Sequence, residues 1–278
     1  MKLEYLSWDS EFFGIKIGRI VFNNSDNDLK ELLDEAKKQN YQLLYVFADK
    51  NTMLSSEILN RWNGKLIDRK VVYKKKVSTN IKKDKLVFAY LDTSVNDDLL
   101  RLAYLSGQYS RFRLDENFPK GSFELMYKEW LIKSVSGELA DKVFIAKKVD
   151  RIIGFVTLKV NKNNGNIGLI AIDKNIQGRG LGSQLINMCE NYLNKCSVET
   201  LTVPTQLDNL QACKFYEKYG FEKDSIIYIY HFWIYKRIKL LNKISKILKK
   251  CTFKSAKCLY LQKIFIKHLK NGKIGWTI

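Results

Sequence analysis

The segment that most restricts the fold of this chain runs from Gly165 to Leu193. Gly168-Leu169-Ile170-Ala171-Ile172 is a short apolar run that reads as a strand. It leads into Gln177-Gly178-Arg179-Gly180-Leu181-Gly182, and Ser183 to Leu193 then carries a helical pattern. Strand, glycine-dense turn and helix in that order turn backbone N–H groups toward one point. That layout receives a phosphate, because unsatisfied N–H groups and the helix dipole both favour negative charge.

With 278 residues, 46% of them apolar, the chain can hold one large or two small domains with real cores. Only two prolines, Pro119 and Pro204, interrupt it, and no Ser/Gly linker is present. The five cysteines include no C-x-x-C pair, which argues against a structural zinc site; no metal is expected. Their odd number suits free thiols in a reducing cytoplasm. Met1 to Tyr5 carries no signal-peptide core, and no apolar run is long enough for a membrane span. The net charge of +19 is concentrated at the end: from Lys236 onward there are 13 Lys/Arg and no Asp/Glu, leaving +6 for the rest. The body therefore does not read as a nucleic-acid binder.

The pattern predicts an α/β unit over residues 1–78. Its strands are Ile15–Phe22, Gln42–Phe47 and Leu66–Lys76. Its helices are Leu29–Lys38, capped by Asp26 or Asn27, and Leu54–Trp62. The Lys- and Asp-rich residues 79–85 read as a linker, and residues 86–235 as a second unit. There Asp97–Tyr104 and Phe123–Ser134 read as helices around a polar loop, Ser110–Pro119. A hairpin (Val143–Lys148, Ile152–Val160), the glycine-turn unit, a strand (Glu199–Val203), a helix (Asn209–Tyr219) and an aromatic strand (Ser225–Tyr235) follow.

Gln177, Gly180 and Gly182 form Q-x-x-G-x-G. About 27 residues later comes Asn-x-x-Ala-x-x-Phe-Tyr-x-x-x-Gly-Phe, at Asn209, Ala212, Phe215, Tyr216, Gly220 and Phe221. In this order the two motifs resemble the GNAT family of acetyl-CoA-dependent N-acetyltransferases, over roughly Leu86 to Tyr235. The resemblance implies an α/β fold with a mixed, mostly antiparallel central sheet flanked by helices. A smaller N-terminal α/β domain and a basic C-terminal helical tail would accompany it. It also implies acetyl-CoA as acyl donor. Gln177, Gly178, Arg179, Gly180, Leu181, Gly182 and Ser183 would meet the pyrophosphate. The backbone of Leu169, Ile170, Ala171 and Ile172 would hydrogen-bond the pantetheine arm, with Asn209, Ala212 and Phe215 beside it. Tyr216 would be the acid that protonates the leaving thiolate, since a phenol of pKa about 10 keeps its proton at neutral pH. Each residue also has a plainer reading. Gly178–Gly182 can be an ordinary turn, Leu169–Ile172 a core strand, Tyr216 a packing partner of Phe215, and Asn209 a helix cap. No general base is identifiable; His231 lies in an aromatic strand and reads as a packed residue.

Leu6-Ser7-Trp8-Asp9-Ser10-Glu11-Phe12-Phe13-Gly14, and Ser110-Arg111-Phe112-Arg113-Leu114-Asp115 with Phe118-Pro119, are similar to segments of the bacterial acetyltransferases that act on dTDP-fucosamine. That likeness implies a nucleotide-linked amino-sugar acceptor, cytoplasmic work in surface polysaccharide synthesis, and a homodimer. Arg111, Phe112, Arg113 and Asp115 would line the acceptor site, with Arg111 and Arg113 pairing a diphosphate and Phe112 stacking on a base or sugar. The alternative is that Phe112 is core and the arginines are solvated. Rival functions are acetylation of a protein N-terminus or lysine, and non-catalytic coenzyme binding or tethering.

The tail, residues 236–278, departs from the pattern of that group. Leu240, Ile244, Ile247, Leu248 and Cys251 share one helical face amid lysines, as expected of a helix on an anionic membrane surface, here the inner leaflet. The alternative is a helix packed on the body. If the tail docks, full-length protein should pellet with anionic vesicles and a chain ending at Tyr235 should stay in the supernatant; equal pelleting would dismiss the idea.

Overall fold

A computed structural model of the chain describes residues 1–79 and 86–234. Residues 80–85 of the expected linker and the whole basic tail lie outside them. The described residues form, in order, β1 (Glu4–Tyr5), α1 (Ser7–Phe13), β2 (Ile17–Val21), α2 (Asp26–Lys38), β3 (Leu43–Asp49), α3 (Ser56–Trp62), β4 (Gly64–Lys76) and β5 (Val87–Ala89). Then come α4 (Asp97–Ser106), α5 (Arg111–Leu114), α6 (Ser122–Val135), β6 (Lys142–Lys148), β7 (Arg151–Asn161) and β8 (Asn164–Ile172). α7 (Leu181–Lys195), β9 (Thr200–Gln206), α8 (Leu210–Lys218) and β10 (Glu222–Trp233) complete the series. The architecture is mixed α/β, with mostly antiparallel strand pairing flanked by helices.

The chain divides into two compact units. Among the described residues, the first takes Met1–Ile67, Asp115–Ser122 and Ile229–Ile234; the second takes residues 68–79 and 86–114 and Phe123–Tyr228. The division thus falls inside β4 and β10, whereas the sequence pattern places it near residue 79. A strand's alternation does not mark where its neighbours change, so this boundary leaves no local signal.

In the first unit β1 pairs antiparallel with β2, and β2 pairs parallel with β3 from Ile17–Leu43 to Val21–Phe47. The parallel pair needs a crossover, and α2 supplies it. Leu29, Leu33 and Ala36 recur at helical spacing and are buried. The cap of α2 is Ser25, whose Oγ accepts the Asp28 N–H at 3.3 Å, rather than Asp26 or Asn27. Those two residues occupy the first turn, and acidic Asp26 and Asp28 suit the helix dipole there.

Asp115 belongs to this unit. Its Oδ2 lies 2.6 Å from His231 Nδ1 and accepts the Trp233 Nε1–H at 2.8 Å, while its Oδ1 accepts the Asn117 N–H at 3.0 Å. His231 is fully buried, tilted against Tyr45 at 4.8 Å and edge-on to Phe118 at 5.9 Å. It is the packed strand residue that its aromatic neighbours suggest. Burial alone would raise the Asp115 carboxyl; the hydrogen bonds from His231 and Trp233 outweigh it and bring the pKa down to about 2.

In the second unit the strand order is β10-β4-β9-β8-β7-β6-β5. β4/β9, β8/β7, β7/β6 and β6/β5 are antiparallel, and β8/β9 is parallel. α7 packs on β6 and β7, and α4 on β7 and β8. Leu181, Leu185, Ile186, Cys189 and Leu193 of α7 join Phe144, Val156, Leu158, Ile167, Leu201 and Val203 in one core.

Asp115→Ala should destabilise the chain by about 3 kcal/mol at pH 7, because it strips a buried donor set of its acceptor. The carboxyl's depressed pKa means its contribution is present above about pH 4 and fades as the pH falls toward 2. Urea unfolding of both proteins at pH 7 and pH 3 should show the difference shrinking.

Candidate active site

The site begins where two strands part. β8 and β9 pair in parallel only from Asn164–Thr200 to Asn166–Thr202. Just beyond, the β7/β8 register slips: Val156 faces Ile170 but Leu158 faces Ile167, so Gly168 and Leu169 together oppose Thr157. Thr157 Oγ1 accepts the Leu169 N–H at 2.8 Å and holds this bulge. A bulge bends the strand that carries it. From here a cavity of about 930 Å³ opens, lined by Gly168–Ile172 of β8 and by Val203, Pro204, Thr205 and Gln206 of β9.

The glycine turn also lines this cavity. Gly178 and Gly180 have φ of +79° and +81°, which L side chains rarely adopt, and a Cβ at either would meet nothing within 4 Å. The turn is held at Gln177, whose Nε2 donates to Ile172 O at 3.0 Å and whose Oε1 accepts from Gln211 Nε2 at 2.9 Å. Gly180 caps α7 with no side chain to satisfy the first-turn N–H groups. Leu181, Gly182 and Ser183 of that turn all face the cavity. An open glycine cradle before an uncapped 15-residue helix fits a pyrophosphate, and a gap along the edge of β8 that β9 leaves unpaired fits an extended amide-bearing arm. Coenzyme A carries both.

Ala212, Phe215, Tyr216 and Asn209 line the same cavity. Asn209 also caps α8, its Oδ1 accepting the Ala212 N–H at 3.2 Å. Tyr216 is buried among Phe215, Phe221 and Tyr73, with ring centroids at 5.3, 5.6 and 5.6 Å. Burial raises its pKa well above the ordinary phenol value, so it stays protonated throughout the neutral range.

Of the expected acceptor residues, Arg111 and Phe112 line the cavity; Arg113 and Asp115 do not. Ser110 Oγ accepts the Phe112 N–H at 3.3 Å and starts the single turn of α5 within what reads as a loop. Phe112 is buried, edge-on to Trp130 at 5.8 Å, with the Arg111 guanidinium 4.6 Å from its ring. Arg113 is exposed and lies 5.0 Å from the Phe123 ring, and Asp115 is engaged with His231 and Trp233. Arg179 is exposed outside the cavity lining.

Asp68, Lys70 and Tyr127 are among the lining residues that the sequence reading does not single out. Asp68 and Lys70 stand two apart on β4. Asp68 is buried, and its Oδ1 has no hydrogen-bond partner. Desolvation pushes its pKa up to about 6, against the opposing pull of Arg111 and Lys70. Burial lowers Lys70, with the Arg111 charge adding to the effect, and burial raises Tyr127. The available signal was a carboxylate inside the strand-like run Leu66-Ile67-Asp68-Arg69-Lys70-Val71, where an acid is costly unless it is used.

Residues 103–221 match the acetyltransferase (GNAT) family. Over those residues the chain carries a GNAT acetyltransferase domain. It is 28% identical over 236 residues to the dTDP-fucosamine acetyltransferase of Escherichia coli O6:H1, covering 84% of this chain and 97% of that one. It is 25% identical over 141 residues to the spore coat polysaccharide biosynthesis protein SpsD of Bacillus subtilis, covering 51% of this chain and 48% of that one. It thus spans about half the length of the spore-coat relative. A functionally unknown conserved protein from Staphylococcus epidermidis shares the fold, with a TM-score of 0.56 and 14% identity over 83% of this chain and 90% of that one. Among the described residues no helix is long and apolar enough to cross a membrane.

Because the native state holds the Asp68 proton more tightly than the unfolded chain does, Asp68 lowers stability as the pH rises from about 4 to 6. Asp68→Asn should therefore stabilise the fold at pH 7.5 by on the order of 2 kcal/mol and not at all near pH 4. Thermal unfolding across that range checks it.

Proposed function

We propose that this chain transfers acetyl from acetyl-CoA to the amine of a nucleotide-linked amino-deoxy sugar of the dTDP-4-amino-4,6-dideoxyhexose type, for surface glycan synthesis. The carrying observation is one cavity lined both by the glycine turn with the α7 N-terminus and by the buried charged group Asp68, Lys70 and Arg111. The first set suits the donor's pyrophosphate, and the second an acceptor bearing an amine and phosphates. The near full-length likeness to the dTDP-fucosamine enzyme supports the same acceptor class.

In this reading the backbone of Leu169–Ile172 receives the pantetheine arm as an added strand, and the turn N–H groups take the pyrophosphate. The acceptor amine attacks the thioester carbonyl directly in a ternary complex, without an enzyme-bound acyl group. Tyr216 gives its proton to the departing sulfur. Its raised pKa keeps the phenol protonated at neutral pH, so a proton is available when the thiolate leaves, and makes the resulting phenolate a strong base for the proton that remains on the nitrogen. Arg111 and Lys70 stand beside Asp68, where the acceptor amine arrives. The basic tail holds the enzyme at the cytoplasmic face of an anionic membrane, and the enzyme works as a homodimer.

Thiol release from acetyl-CoA, measured against a panel of dTDP- and UDP-linked amino sugars, tests the reading; a panel with no turnover would refute it. Tyr216→Phe should lower kcat by about 10²- to 10⁴-fold. Coenzyme A affinity, measured by calorimetry, should be unchanged, and near-normal turnover would remove Tyr216 from the mechanism.

A further inference from the structure

Acetylation of an amine at neutral pH needs a group to remove the ammonium proton. Among the described residues that line the cavity, Asp68 is the sole carboxylate, and no histidine or cysteine joins it. The other titratable groups there are lysines, Arg111 and tyrosines, which hold their protons near neutral pH unless strongly perturbed. We propose that Asp68 is the catalytic base of this site, its Oδ1 taking the proton of the acceptor's ammonium group. The proposal rests on the amine-acetylation reading above.

Three observations carry it. First, β4 sets Asp68 and Lys70 in the cavity wall, and a residue on a strand is held more rigidly than one on a loop. Second, Asp68 is buried and its Oδ1 reaches no hydrogen-bond partner, although Gln206 lies against the carboxyl group. A buried, unsatisfied carboxylate oxygen is costly, and one that faces a cavity is completed by what enters it. Third, the charges around it suit proton removal. Arg111 and Lys70 act on Asp68 from the cationic side and Asp208 from the anionic side, while Asp208 is itself paired with Arg69. Tyr127 stands in the field of both Asp68 and Arg111. Two neighbouring cations disfavour an ammonium group and favour the neutral amine, which is the nucleophile. With its pKa pushed up to about 6, Asp68 is ionised at pH 7 yet basic enough to accept a proton.

The protons balance. The ammonium group gives one proton to Asp68, which releases it to solvent. The nitrogen lone pair forms the N–C bond while the thioester π electrons move to oxygen. They return as the C–S bond breaks, with its pair leaving on sulfur. Tyr216 protonates that sulfur, and its phenolate recovers the second nitrogen proton. The products are the amide, free coenzyme A and one proton in solution.

The test uses the full-length chain with acetyl-CoA and dTDP-4-amino-4,6-dideoxygalactose. Asp68→Asn should lower kcat by about 10²- to 10³-fold. It should leave coenzyme A affinity unchanged and erase the acidic limb, near pH 6, from the kcat profile. Asp68→Glu should restore part of the rate. Independently of turnover, ¹³C NMR of aspartate-labelled protein should show a carboxyl titrating near pH 6 that is missing from Asp68→Asn. Retention of the acidic limb in Asp68→Asn, or a carboxyl titrating in the ordinary range near 4, would overturn the assignment. If wild-type protein releases no thiol with this sugar, the acceptor reading fails, and the carboxyl titration still supports or overturns Asp68 as a group tuned to accept a proton.

Discussion

The site of this protein depends on one interrupted ladder. β8 and β9 are parallel partners for three residue pairs, ending at Asn166–Thr202, and the bulge at Gly168–Leu169 then bends β8. A parallel pair continued to Ile172 would satisfy its own backbone and leave no gap. Because it stops, backbone groups of β8 and β9 face a cavity, and unpaired buried backbone groups call for a partner. Thr157 Oγ1, by accepting the Leu169 N–H, is the side chain that makes the interruption tolerable. The glycine turn follows directly from the freed end of β8, tied to it through the Gln177–Ile172 hydrogen bond.

The same cavity concentrates the electrostatic strain of the second unit. A carboxylate with an unsatisfied oxygen, a lysine shifted downward and a phenol shifted upward share its wall. Strain of this kind lowers stability and is retained where chemistry uses it. Asp115 offers the contrast. It is equally buried, but hydrogen bonds from His231, Trp233 and Asn117 bring its pKa down to about 2. Two buried aspartates therefore have opposite roles, one holding its own unit together and one left open to a ligand.

Much of the fold was legible because its signals are local. Periodicity located α2, α4, α6, α7 and α8 to within a few residues, and alternation located β2, β3, β4 and the β6–β7 hairpin. The sharper failures were matters of partner. Ser25 rather than Asp26 caps α2, since the choice turns on which side chain reaches the Asp28 N–H. Asp115, adjacent in sequence to Arg111 and Phe112, leaves their cavity because the chain crosses to the other unit at that point. Asp68 takes its meaning from Arg111 and Gln206, far away along the chain, so its own stretch of sequence does not mark its role.

The α/β class, the glycine turn ahead of α7 and the family resemblance carried by that turn and the Asn209–Phe221 motif are all written into contiguous residues. Those are properties of contiguous residues, since backbone conformation and helix ends depend on near neighbours. Where β8 leaves β9, that Arg111 faces the cavity while Asp115 does not, and that Asp68 is buried with an open oxygen follow from long-range packing alone. Burial and charge environment are set by residues brought together from distant parts of the chain, and no local pattern encodes them.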